Sequence, residues 1–353
     1  MKKRLLCALL ALSLLTLPGC KRAPEPVEVT AFAMDTVIQL TAYDGNTGGT
    51  RAVLGGLTGR LAELDSQLSA TREDSFVYAV NHAGGEWVEV PDSAVLALLH
   101  DALSLCETTG GALDITAYPA VKAWGFTGEE HQIPSDSELA ELAEKIDYTA
   151  VALSDWAGER HRGGAALPQG MEMDLGAVAK GFAGDLLAGE MRDVGITSAL
   201  LDLGQSTIVA VGSKPGGKPW RIGVVDPARP GSYFAVVELE DMAMGTSGGY
   251  QRYFEEDGIT YWHILDPDTA APARSGLSSV TVVSPSALTC DGLSTALFVM
   301  GLEEGAQFWR DHPELDFEVV FVTETGEIYR TAGLEGCFSL AEGYEDREVV
   351  VLE

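Results

Sequence analysis

The stretch Met173-Asp174-Leu175-Gly176-Ala177-Val178-Ala179-Lys180-Gly181 constrains this chain more than any other. A short apolar run turns here into a predicted helix whose first two turns carry almost no side chains, since Gly176, Ala177, Ala179 and Gly181 are glycine or alanine. Whatever packs there, a neighbouring element or a ligand, meets backbone rather than side chains. Asp174 occupies the expected N-cap, and Lys180 follows it within the next two turns. A helix start presents unpaired N–H groups and the positive end of the macrodipole, so an anion is favoured there, and Lys180 would add a full charge. The same residues also describe a capped, tightly packed helix with a solvated lysine, and the stretch alone does not separate the two.

At the N terminus Lys2, Lys3 and Arg4 precede an apolar run over residues 5–17 that ends in Leu17-Pro18-Gly19-Cys20. A helix of that length covers only about 20 Å, short of the roughly 30 Å of a bilayer core, so residues 1–19 are read as a signal peptide. A small residue before cysteine at this place resembles the lipobox of bacterial lipoproteins. The expectation is a lipid-bearing Cys20 and linker over residues 20–29, then one domain over residues 30–353, held outside the cytoplasm on the bacterial cell membrane.

Among 353 residues, 53 are acidic and 23 basic, a formal charge of −30. Such a field repels phosphate backbones and excludes nucleic acid as a partner. It repels small anions too, so a site for one needs a local cation, which is a reason to look for a metal. Cys7 leaves with the leader and Cys20 takes the lipid; Cys106, Cys290 and Cys337 have no paired spacing, so neither a disulfide framework nor a zinc site is expected.

Along the chain, residues 36–43 alternate as a strand, a turn follows at Asp44-Gly45-Asn46, and apolar residues at 54, 57, 61, 64 and 68 mark one buried helical stripe. A second helix starts near Asp92, buries Val95, Leu98, Leu99, Ala102 and Leu105, and stops at Gly110-Gly111. Between them lies a polar loop over residues 68–75 and a short helix. Ser135 and Glu138 form a capping box for a helix reaching about Asp147. Short strands and a hairpin are predicted over residues 149–170, and the central helix ends by Gly195. Strands are predicted at 197–203, 206–212, 222–225, 234–239, 243–246, 260–265 and 280–283, with turns at 256–258 and 325–326 and a helix from about Cys290. The run from Gly212 to Lys218 imitates a phosphate-binding loop, but Pro219 stands where Ser or Thr would bind magnesium and a strand follows, so it is read as a hairpin turn. Helices and antiparallel-looking strands interleave without βαβ alternation, which gives an α+β fold in a single domain.

Asp291 and Thr295 stand four apart on an otherwise apolar helix and share a face. A carboxylate and a hydroxyl there are a partial shell for Mg²⁺, or a dipole-favoured acid with a threonine bonded back to the preceding turn. His263, in Tyr261-Trp262-His263-Ile264-Leu265-Asp266-Pro267, is either a satisfied core residue or a catalyst. Gly245-Thr246-Ser247-Gly248-Gly249 either holds a phosphate or ends a strand.

In their order, these pieces resemble the ApbE-type FAD:protein FMN transferases. The resemblance rests on Met34-Asp35-Thr36, the 68–81 block, Gly110-Gly111-Ala112-Leu113-Asp114-Ile115-Thr116 with Trp124-Gly125-Phe126, the 174–181 block, Leu203-Gly204, Thr246-Ser247-Gly248, His263-Ile264-Leu265-Asp266-Pro267, and 291–295. It implies a catalytic domain of interleaved helices and mostly antiparallel strands. It also implies Mg²⁺ on the main-chain oxygen of Ala177 and the side chains of Asp291 and Thr295. FAD would be held by Met34, Ala112, Leu113, Asp114, Asp174 and Lys180 and near His263 and Ile264. The implied activity moves FMN from FAD to a threonine hydroxyl of an acceptor, an FMN-binding domain of a membrane electron-transfer subunit, and releases AMP. His263 is the candidate base.

The chain departs from the family pattern at Thr71, where an aromatic is usual, and at Gln205-Ser206, which replaces Gly-Asn or Gly-Asp. Gly249 stands where Asp is common, and Ala270 where a glycine normally follows Asp-Pro-x-Thr. Two other functions use the same residues: a Mg²⁺-dependent FAD pyrophosphatase, with water as acceptor, and a lipoprotein that binds flavin without chemistry.

Overall fold

Leu54, Leu57, Leu61, Leu64 and Leu68 lie on one side of helix α1 (Thr47–Leu68), and all are buried, as their spacing predicts. The computed structural model describes residues 25–43, 46–128, 130–155, 163–229 and 231–353. The leader, Cys20, Asp44 and Gly45 of the first turn, and residues 156–162 of the predicted hairpin lie outside the described residues. No helix among the described residues is long and apolar enough to cross a membrane.

The other helices are α2 (Phe76–His82), α3 (Ser93–Thr108), α4 (Tyr118–Ala123), α5 (Asp136–Ala143), α6 (Ala179–Asp193) and α7 (Ala287–Asp311). With strands numbered in chain order, a nine-stranded sheet runs β1 (Val27–Ala33), β2 (Thr36–Ala42), β6 (Ser198–Leu203), β7 (Thr207–Gly212), β10 (Ala243–Gly248), β15 (Leu277–Ser284), β16 (Glu318–Thr323), β17 (Ile328–Thr331), β19 (Val349–Leu352). Every neighbouring pair is antiparallel except β17 and β19. Before that parallel pair forms, the chain leaves through β18 (Phe338–Leu340), which joins β9 (Tyr233–Leu239) and β8 (Trp220–Val225) in a second sheet. Three short strands, β3 (Val88–Glu89), β5 (Gly164–Ala166) and β4 (Ala152–Ser154), form a third sheet. Two small pairs complete the set, β11 (Tyr253–Glu256) with β12 (Ile259–Trp262), and β13 (Leu265–Asp266) with β14 (Ala271–Pro272).

The large sheet is covered on both faces. In β7, Val209 and Val211 join the core beneath α1, α6 and α7, whereas Ile208 and Ala210 join a second core with Trp220, Val237 and Leu239 of β8 and β9. A strand buried on both faces has no polar side to alternate with, which is why this segment reads as a continuous apolar run. The Gly212 to Lys218 segment is a turn, closed by Lys214 N–H to the Lys218 carbonyl at 2.7 Å, and it carries the chain from the first sheet to the second.

Four predictions shift. The strand predicted over residues 260–265 is divided, β12 ending at Trp262 and β13 beginning at Leu265, where the pairing partner changes from β11 to β14. The Ser135–Glu138 capping box forms, but α5 stops at Ala143, because Asp147 begins a new 3₁₀ turn and donates its N–H to Thr116 Oγ1 at 2.8 Å. Asp174 is not the N-cap of the central helix: α6 begins at Ala179, Val178 holds the cap position, and the Asp174 carboxylate instead accepts the Gly176 N–H. Helix α7 begins at Ala287, earlier than Cys290, because Ser286 caps it and Asp185 of α6 accepts from Ser286 Oγ, Ala287 N–H and Leu288 N–H at 2.8–3.0 Å. It is broken at Gly301, where φ is 83°.

The β6–β7 turn places Gln205 at φ 66° with its side chain exposed. A left-handed conformation costs a non-glycine residue about 1–2 kcal/mol, partly offset by the lower chain entropy of Gln when unfolded. Gln205→Gly should therefore stabilise the fold by about 0.5–1 kcal/mol, read as a rise in denaturation midpoint without change in m-value; a lower midpoint would contradict this account of the turn.

Candidate active site

Two adjoining cavities of about 350 and 810 Å³ share Met34, Asp174, Gly176, Lys180 and Arg252 in their walls. Their size is that of small-molecule and cofactor sites. The smaller also takes in Ala112, Leu113, Asp114, Ala177, His263, Ile264 and Thr295, so nearly all predicted site residues meet at one place. A separate cleft of about 610 Å³ between α3 and α6 contains none of them, and its Asp185 is committed to capping α7.

The β1–β2 hairpin delivers Met34. Met34 and Asp35 form its two-residue turn with φ of 52° and 57°, the left-handed geometry such a turn needs, and Met34 N–H is tied to Asp65 Oδ1 of α1 at 2.9 Å. The double glycine after α3 turns the chain into Ala112 and Leu113. Asp114 then accepts from Thr116 N–H (2.7 Å), Thr116 Oγ1 (2.6 Å) and Tyr148 N–H (2.8 Å). Its carboxylate is spent on shaping this wall, and burial raises its pKa.

The bare helix start acts differently from its sequence reading. Residues 175–178 form a separate turn before α6, with Gly176 exposed. In a continuing helix, Gly181 N–H would go to the Ala177 carbonyl; here it donates to Asp291 Oδ2 at 2.7 Å, leaving that carbonyl for a ligand. Glycine is required at 181, since a Cβ would stand 2.2 Å from the Ala287 carbonyl oxygen. Asp291 lies one turn inside α7, 7% exposed, and its Oδ1 accepts from Thr207 Oγ1 at 2.7 Å. Burial pushes its pKa up to about 6, opposed by Lys180 and by these two donors. Thr295 Oγ1 lies 3.3 Å from the Asp291 carbonyl and 3.1 Å from Ser247 Oγ. A freed carbonyl, a carboxylate with neutral donors only, and a hydroxyl are hard oxygen groups suited to Mg²⁺. Among the described residues no cluster of three or more His, Cys, Asp or Glu offers another metal site.

His263, half-buried, follows β12, and its Nδ1 stands 3.1 Å from the Arg252 carbonyl. A carbonyl only accepts, so Nδ1 carries the proton and Nε2 is the free base. Burial pushes this imidazole down to about 4, with the Arg252 and Lys180 charges acting in the same direction. It is therefore neutral at physiological pH. Burial likewise raises Asp174, while Lys180 and Arg252 oppose the shift.

Arg252 escaped the sequence reading. Its guanidinium lines both cavities, bonded to the Phe126 carbonyl at 3.2 Å, and adds a second cation beside Lys180. Nothing in its local sequence marks it, because it enters the site only when the β10–β11 connection folds over the cavity. Thr207 was missed likewise, as a strand residue of ordinary type; Ser247, of the run read either as a phosphate holder or as a strand end, lies in β10 and lines the smaller cavity.

The ApbE family model matches residues 34–321. The chain belongs to the ApbE family. It is similar to the FAD:protein FMN transferase of Treponema pallidum, 34% identical over 78% of either chain. To that of Haemophilus influenzae it is 30% identical, over 94% of this chain and 96% of the other. The crystal structure of the ApbE protein of Thermotoga maritima superimposes with a TM-score of 0.81 at 32% identity, covering 89% of this chain and 99% of that one. The flavin transferase ApbE of Vibrio cholerae does so with 0.76 at 27%, covering 88% and 98%. The α+β architecture is thus an ApbE fold. Two departures from the ApbE pattern have local physical meaning. Ala270, where glycine is usual, has φ 54° and gives its carbonyl to Trp124 Nε1 at 2.8 Å. Gly249 lies under Trp262, whose ring would stand 3.0 Å from a Cβ, so an Asp there would require this indole to shift.

Proposed function

We propose that this chain transfers FMN from FAD to a threonine hydroxyl of an acceptor protein, with Mg²⁺, and releases AMP. What carries the reading is the convergence in one cavity of a neutral His263 with Nε2 free, two cations, and the oxygens of Ala177 and Thr295, with the buried Asp291 one turn before Thr295 on α7 and bonded to Gly181 N–H, in a chain whose relatives carry the transferase name. A protein this acidic needs such local positive charge to hold a pyrophosphate. Lys180 and Arg252 bind and orient the phosphates. His263 Nε2 takes the proton of the acceptor hydroxyl as its oxygen bonds to the flavin-side phosphorus and the bond to the AMP oxygen breaks. Mg²⁺, held by the Ala177 carbonyl, Asp291 and Thr295, would neutralise charge on the pyrophosphate and ease departure of AMP. Cys20 would carry the lipid that holds the enzyme on the outer side of the cell membrane, facing FMN-binding domains of membrane electron-transfer subunits.

The test is incubation with FAD, MgCl₂ and such an acceptor domain, followed by intact-mass and nucleotide analysis. The expected outcome is one FMN on an acceptor threonine per AMP released, with this chain unmodified, since it contains no Asp followed closely by Ser/Thr-x-Ala-Thr. Free FMN and AMP without acceptor labelling would instead identify a pyrophosphatase, and intact FAD a binder without chemistry.

A further inference from the structure

We propose that Thr207 is a positioning residue for the Asp291 carboxylate, and that divalent-cation binding at the Ala177–Asp291–Thr295 set depends on its hydroxyl; this rests on the Mg²⁺ reading above. Three elements meet at Asp291. Gly245 of β10, the register partner of Thr207, lets α7 press onto the sheet, since a Cβ there would stand 2.8 Å from the Cys290 carbonyl carbon. Gly181 admits α7 on the α6 side in the same way. The approach brings Asp291 between Thr207 Oγ1 and Gly181 N–H, both at 2.7 Å and on different carboxylate oxygens. Two donors from two separate elements leave a single side-chain orientation that satisfies both.

Thr207 itself is fully buried at 0% exposure, so it touches neither substrate nor ion. Its hydroxyl acts only through Asp291. An outer group that fixes a ligand in this way commonly affects metal affinity by about 10- to 100-fold when removed.

The experiment compares wild type, Thr207→Val, which keeps the shape and deletes the donor, and Thr207→Ser, which restores it. MgCl₂ is titrated calorimetrically into each protein in the presence of FAD and without acceptor, FAD affinity is measured in EDTA, and melting temperature is recorded with and without Mg²⁺. The expected result is Mg²⁺ binding weakened about tenfold or more in Thr207→Val, FAD affinity in EDTA unchanged, a smaller Mg²⁺-induced rise in melting temperature, and recovery in Thr207→Ser. A merely structural threonine would lower the melting temperature equally in both conditions and leave Mg²⁺ affinity untouched, which overturns the proposal. Should the valine variant not fold, Thr207→Ala carries the same comparison. Absence of Mg²⁺ uptake by the wild type would overturn the metal reading itself, an outcome distinct from a variant that binds Mg²⁺ as well as wild type does.

Discussion

Asp291→Asn should reduce FMN transfer by about a hundredfold or more while the protein remains folded. The substitution removes the one acidic side chain from the proposed Mg²⁺ set, and Lewis-acid help of this kind is worth several kcal/mol, where about 2.7 kcal/mol corresponds to a hundredfold. Survival of the fold follows from the hydrogen bonds. Asparagine can accept the Gly181 N–H through its carbonyl, and its amide can donate to Thr207 Oγ1, whose hydroxyl turns away. Both buried contacts then persist without the charge; the Thr207 hydroxyl proton loses its acceptor, a cost of about 1–3 kcal/mol that lowers the melting temperature without abolishing the fold. Mg²⁺ binding and thermal unfolding measured on the same preparation check the two halves separately. Full Mg²⁺-dependent activity in the variant would end the assignment of Asp291 as a ligand.

His263→Ala should lower kcat for transfer by at least tenfold, and up to the 10²- to 10⁴-fold usual for general-base help, with FAD affinity little changed. The pH profile gives an independent reading. An unperturbed histidine predicts an acid limb between about pH 6 and 7. Burial and the neighbouring Arg252 and Lys180 charges move His263 down to about 4, so its proton is already absent at pH 6. At saturating Mg²⁺ and FAD the wild-type kcat should therefore hold down to about pH 5 before His263 protonates. The sign for stability follows from the same shift. Between the ordinary histidine value and about 4 the unfolded chain binds this proton and the folded chain does not, so this group's contribution favours folding above the window and weakens as pH falls through it. A kcat preserved in His263→Ala, with FAD binding lost, would make His263 a pocket wall. Asp114 is a poor substitute as base, because three donors already occupy its oxygens. Asp174 is better placed, since its one side-chain bond is local and it lines both cavities together with Lys180.

Much of this was legible in the chain itself. The leucine stripe of α1, the start of α3 near Asp92 and the Ser135–Glu138 box are local devices, and each forms as read because one helical period or one side-chain bond to a nearby N–H suffices to specify it. The order of the motifs likewise pointed to the family, whose model matches residues 34–321. What escaped was whatever depends on two segments far apart in sequence. Asp174 looked like a cap, but Asp185 and Ser286 set where α7 begins, and the Gly181–Asp291 contact, 110 residues apart, draws off the N–H that would have extended the central helix back to Ala177. Thr207 in an apolar strand and Arg252 in a polar connection have no local signature of function. They acquire one only because glycines at 181 and 245 let α7 settle against α6 and the sheet, and because the connection after β10 folds over the resulting cavity. Sequence periodicity reports which face of an element is buried; which atoms then stand 2.7 Å apart is decided by how closely those faces can approach, and that is a property of the packed structure alone.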